Sequence, residues 1–154
     1  MRHAESTSNV AERQGTLGAW LEVLRTADPP LSVHGRTQSM LLRNSLNEPD
    51  FVFTSPLRRA IETAQLIWPH KEIHIAPFLI ELGRSLPLNK PKGKKATTKG
   101  NLRLFIQWLK NFIRQHPTGR SLTQVVVVTH SLLMKRDLGL KKKPGNNEIV
   151  DVWL

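Results

Sequence analysis

The sequence runs to 154 residues, 39% hydrophobic and 23% charged, the balance of a single globular domain with enough chain to bury one core. It has no cysteine, which excludes a disulfide frame, a thiolate nucleophile and a cysteine metal site. With 23 basic residues against 12 acidic ones the formal charge is +11, a field that attracts anions and points to a phosphorylated or polyanionic partner. No apolar stretch has the length of a bilayer span and the N-terminus carries no apolar signal-like segment, so the cytoplasm is the expected compartment and no membrane partner is expected.

Leu17, Trp20, Leu21 and Leu24 recur at three- and four-residue spacing and predict an amphipathic helix over 17–26; Met40, Leu41, Leu42 and Leu46 predict another over 37–47. Asp28-Pro29-Pro30 breaks the chain between them. Phe51-Val52-Phe53 reads as a short buried strand, after which Ser55-Pro56 offers a serine cap and a first-turn proline for a helix ending near Trp68, before Pro69. Ile73-His74-Ile75 reads as a second strand. From about 86 to 100 the chain is rich in lysine, proline and glycine with no apolar period, and a basic mobile loop is expected there. Leu102, Phe105, Ile106, Leu109, Phe112 and Ile113 mark a strongly amphipathic helix.

Val125-Val126-Val127-Val128 is a β-branched run suited to a strand buried on both faces of a mostly parallel sheet, with a helix expected over 131–138. A final strand, Ile149 to Trp153, is expected after the turn Pro144-Gly145-Asn146-Asn147. Strands alternating with helices imply one α/β domain over 1–154, a three-layer α/β/α sandwich around a mostly parallel central sheet. Its ligands belong beyond the carboxyl ends of the strands, where Ser55 and His130 fall.

Two histidines and an arginine at such positions, Arg2-His3 and His130, are the parts of a phosphohistidine-forming enzyme, because a neutral imidazole can take a phosphoryl group covalently and split one displacement into two easier ones. The spacing goes further. Arg2, His3, Ser6 and Asn9 fit the pattern Arg-His-Gly-x-Ser-x-x-Asn, with Ala4 in place of the glycine. Leu31-Ser32-Val33-His34-Gly35-Arg36-Thr37-Gln38 is similar to Leu-Thr-x-x-Gly-x-x-Gln, and the nine residues from Ser55 to Thr63 match Ser-x-Leu-x-Arg-Ala-x-x-Thr with Arg59 as the aligned arginine. Leu79-Ile80-Glu81 fits the setting of a general acid. These motifs, in this order, resemble those of the histidine phosphatase, or phosphoglycerate mutase-like, superfamily across nearly the whole chain.

The resemblance implies a phosphoglycerate mutase-like fold and hydrolysis of a phosphomonoester, from a phosphorylated small molecule or a phosphoprotein, with no metal and no cofactor. It makes His3 the nucleophile, Arg2 and Arg59 bidentate holders of phosphoryl oxygens, and His130 a further donor to the transferring group. Asn9, Ser6 and Ser131 become substrate-binding candidates. Glu81 becomes the acid that protonates the leaving oxygen and then activates water, with Glu5 and Glu62 as the other nearby carboxylates. His34, His70, His74 and His116 have no matching role and are expected to face solvent, and Arg58 to face outward or rim the pocket.

Relatives of this kind place an apolar strand immediately before Arg-His, whereas only Met1 precedes Arg2 here. The expectation is therefore a sheet lacking the usual first strand, as in a fragment or a misplaced start. A second reading keeps the fold without catalysis, as a polyanion-binding or regulatory protein whose basic segments do the binding. Nucleic acid is disfavoured in that role because 90–99 holds no aromatic residue for base stacking. A mutase is a third and weaker reading, since the chain lacks the longer insertions around the acid.

Overall fold

Three short β-branched and aromatic runs form the sheet in the computed structural model, which describes residues 1–81, 89, 100–116 and 122–154. They are β1 (Phe51–Thr54), β2 (Ile73–Ile75) and β3 (Val125–Val128), all parallel, in the order β2-β1-β3. Alternation along these strands builds the layers. Val52, Val126 and Val128 face one way, against Ala60, Ala64, Ile67 and Trp68 and the half-buried Leu42 and Leu46. Phe51, Phe53, Val125 and Val127 face the other way, against Leu102, Phe105, Leu109 and Leu133. The result is the three-layer α/β/α arrangement.

The helices are α1 (Thr7–Gln14), α2 (Leu17–Arg25), α3 (Val33–Arg43), α4 (Arg58–Ile67), α5 (Leu102–Gln115) and α6 (Ser131–Leu138), with one 3-10 turn at Pro77–Leu79. Among the described residues no helix is long and apolar enough to cross a membrane. The expected helices at 17–26, near 102–113 and at 131–138 are present. That expected at 37–47 begins earlier, because Ser32 Oγ accepts the Gly35 N–H at 2.9 Å and caps α3 one residue before Val33. The polar run of α1 carries no apolar stripe and was not foreseen; it forms because Ser6 and Asn9 close a capping box at its start.

Three expectations change. Ser55 does not cap α4, whose N-cap is Leu57 without a side-chain bond; Asp28 Oδ1, from across the fold, accepts the Arg58 N–H at 2.7 Å instead. Ile149 to Trp153 forms no strand, and Trp153 is 85% exposed. His74 is half-buried against the rings of Phe51 and Phe53, whereas His34, His70 and His116 are exposed as expected. The expected basic loop at 86–100 lies outside the described residues apart from Asn89 and Gly100.

The described sheet lacks a full first strand, as expected, but residues 1–3 run parallel to 127–129 beside β3. The Met1 nitrogen donates to Val127 O, Thr129 N–H to Met1 O and His3 N–H to Thr129 O, each at 2.9 Å. Backbone pairing thus reaches His3, at the carboxyl end of the sheet.

Gly35 shows how tightly α3 is docked: a Cβ there would lie 2.1 Å from the carbonyl oxygen of Glu5, a backbone atom with nowhere to go. Gly35→Ala should cost about 3 kcal/mol or more in a urea unfolding titration. Gly18→Ala, on exposed α2 with nothing within 4 Å, should instead stabilise by about 0.5–1 kcal/mol. Equal effects of the two would mean that α3 does not pack against Glu5.

Candidate active site

The carboxyl ends of β1 and β3 deliver Ser55 and His130, and the segment paired beside β3 delivers Arg2 and His3. The His3 and His130 rings lie 5.1 Å apart between centroids, tilted by 58°, and both are buried. His3 Nδ1 lies 2.6 Å from the Ala4 carbonyl oxygen. A carbonyl only accepts, so this bond puts the ring proton on Nδ1 and leaves a lone pair on Nε2. Arg59, from the buried face of α4, donates Nε–H to that nitrogen at 3.3 Å and Nη2–H to Asn89 Oδ1 at 2.8 Å. Arg58 beside it is exposed and pairs with Glu62.

Backbone anchors hold this geometry. Thr63 Oγ donates to the Arg59 carbonyl at 2.7 Å and accepts the Ala4 N–H at 3.0 Å, fastening the first motif to α4. The 144–148 turn closes over the same motif: Asn146 Nδ2 donates to His3 O and to Asn9 Oδ1, and Arg2 Nη1 donates to Pro144 O at 2.8 Å. Arg2 Nε is buried without a partner among the described residues. Asn146 and Asn89 were not foreseen, because an asparagine in a turn or a lysine-rich stretch carries no spacing signal of its own.

The remaining candidates separate. Ser6 is buried, accepts the Asn9 N–H as the cap of α1, and its hydroxyl lies 2.8 Å from Ser8 Oγ and 3.1 Å from Asn9 Oδ1. Asn9 Oδ1 is likewise engaged within the loop. Ser131 is buried in the first turn of α6, directly after His130. Glu5 is held by Ser32 Oγ at 2.6 Å and by Arg13, and Glu62 by Leu31 N–H, Arg36 and Arg58. Glu81 is half-buried and is the strongest carboxylate influence on both Arg2 and Arg59. Of the three carboxylates considered, it is the one whose charge the site feels.

Burial is the largest electrostatic influence here. It drives the pKa of His3 well below 6.5, with the Arg59 charge adding to the shift, and does the same to His130. Burial also brings the Arg59 guanidinium down to about 10, so it stays charged at neutral pH. Both imidazoles are therefore neutral in the fold, while an unfolded chain protonates them near 6.5. Stability contributed by the neutral rings is complete above pH 6.5 and is lost as pH falls toward their depressed folded values. The slope approaches about 1.4 kcal/mol per pH unit for each ring. Urea midpoints measured in phosphate-free buffer should fall between pH 7 and 5, before carboxylates titrate. A flat profile across that window would mean that both rings take up protons in the fold as readily as in the unfolded chain.

A cleft of about 350 Å³ lined by Gly100, Asn101, Arg103, Arg136 and Asp137 shares no residue with this cluster. Its two arginines are already bonded to Asp137, and we assign it no ligand.

Against known proteins, residues 1–85 match the model of the histidine phosphatase superfamily (branch 1). A phosphoserine phosphatase variant from Entamoeba histolytica, crystallised with phosphoserine, superposes with a TM-score of 0.62 at 20% identity, over 94% of this chain and 84% of that one. Mycobacterial glucosyl-3-phosphoglycerate phosphatase gives 0.61 at 20% identity, over 94% and 84%. The protein histidine phosphatase SixA, complexed with tungstate, gives 0.56 at 18% identity, over 90% and 72%. Identities this low speak for the fold alone. No curated protein matches the chain by sequence.

Proposed function

The chain belongs to the histidine phosphatase superfamily, and from that premise we propose that it hydrolyses phosphomonoesters through a phosphohistidine on His3, without a metal. The observation that carries the proposal is the pair of neutral, buried imidazoles 5.1 Å apart with the Arg59 guanidinium on the His3 lone pair. An arriving phosphate draws Arg59, and with it Arg2, onto its oxygens, which frees Nε2 for in-line attack. The Nε2–P bond forms as the P–O bond to the leaving group breaks. Glu81 protonates that oxygen, His130 donates to the charge on the transferring group, and Asn9 and Ser131 complete the pocket. Water, deprotonated by Glu81, then attacks phosphorus; the P–N bond breaks and inorganic phosphate leaves.

The solved relatives named above support a substrate of the same kind, a phosphorylated small molecule or a phosphorylated protein side chain. Hydrolysis of an aryl phosphate should proceed undiminished in excess chelator. Rapid quench should trap an acid-labile, base-stable phosphoenzyme. Tight phosphate binding with no turnover would leave the non-catalytic, polyanion-binding reading in its place.

A further inference from the structure

His130 is fully buried and its Nε2 lies 2.7 Å from Ser55 Oγ, itself fully buried. The same oxygen lies 3.3 Å from the Leu57 N–H and accepts from it. Had the ring also donated to Oγ, that oxygen would accept twice and its own hydrogen would need a third partner, which none of the described residues provides. If the hydroxyl hydrogen goes to Nε2 instead, the Ser55 hydroxyl and Nε2 are both satisfied and one group, Nδ1, is left over rather than two. The ring proton then resides on Nδ1, and Nδ1 is buried without a partner among the described residues. A buried N–H with no acceptor costs about 1–3 kcal/mol, a debt that an incoming anionic oxygen removes.

We propose that Ser55 is a positioning residue: its hydroxyl holds His130 as the Nδ1–H tautomer, so that the ring meets the transferring phosphoryl group as a neutral donor. This rests on the phosphoryl-transfer reading of the His3 and His130 pair. The site thus contains two neutral histidines whose protons are both set by an oxygen partner. The Ala4 carbonyl turns Nε2 of His3 into a nucleophile. Ser55 turns Nδ1 of His130 into a donor.

Two-bond proton–nitrogen correlation spectra of the ligand-free protein, with its histidines labelled, distinguish a protonated ring nitrogen from one bearing a lone pair. His130 should show the proton on Nδ1. Ser55→Ala should shift the ring to a mixed tautomer population and lower kcat about tenfold with KM little changed, because the lost donor acts on the transition state. Ser55→Thr, which keeps the hydroxyl, should restore both the spectrum and the rate. A wild-type His130 protonated on Nε2, or a Ser55→Ala protein with unchanged tautomer and kcat, would overturn the assignment. Because the spectrum needs no substrate, it decides the role of Ser55 even if the wild-type protein forms no phosphoenzyme, the result that would sink the phosphatase reading instead.

Discussion

His3→Ala is expected to lower turnover at least about a thousandfold and to abolish the trapped phosphoenzyme, because it removes the atom on which the intermediate forms. No neighbour can substitute. The Nε2 of His130 is engaged by Ser55, and the nearby Ser6 hydroxyl lies within hydrogen-bond distance of both Ser8 Oγ and Asn9 Oδ1. The deletion also strips Arg59 Nε–H of its partner in a buried site, so folding should be checked by circular dichroism before the rate is interpreted. A well-folded His3→Ala protein that turns over normally would end the phosphohistidine mechanism.

Glu81→Gln should separate substrates by their leaving groups. An amide keeps size and polarity but delivers no proton, so an alkyl phosphate, which leaves as a strongly basic alkoxide, should slow by about 100-fold or more. An aryl phosphate leaves as a stable phenolate and should slow far less. Single-turnover kinetics confines the comparison to the phosphorylation step. Equal losses for both substrates would remove Glu81 as the acid. Glu5, bonded to Ser32 and Arg13, and Glu62, bonded to Arg36, Arg58 and the Leu31 amide, would then be the carboxylates to test next. Removing the Glu81 charge should also leave Arg2 and Arg59 less balanced, which strengthens phosphate binding in the variant even as chemistry slows.

The candidate site was legible where a local signal carries it. A valine run has few uses other than a buried strand, so His130, two residues past its end, could be placed at the end of the sheet. Arg59 could be chosen over Arg58 from motif spacing, and burial of one beside exposure of the other follows from their positions on α4. What stayed hidden depends on partners far away in sequence. Ser55 satisfies every local rule for a helix cap, yet the fold gives its hydroxyl to a histidine 75 residues away. Ile149 to Trp153 has strand-forming residues, but among the described residues no backbone pairs with it as a strand, and strand propensity without a partner decides nothing. The helix α1 fails every apolar-period test because a capping box, with little buried surface, suffices to start it.

The anchoring of the first three residues also bears on the order in which the molecule acquires its parts. The contacts that hold Met1 and Arg2 bridge 126 and 142 positions, and the Asn146 bond to His3 O bridges 143. Closing loops of that length is the slow part of folding, and it follows rather than precedes short-range helix formation. A ribosome that has released α4 and β1 has still not made Thr129 or Asn146. The His3 imidazole therefore has no fixed place beside His130 until the opposite end of the polypeptide docks, and an incompletely synthesised chain lacks the assembled pair of histidines.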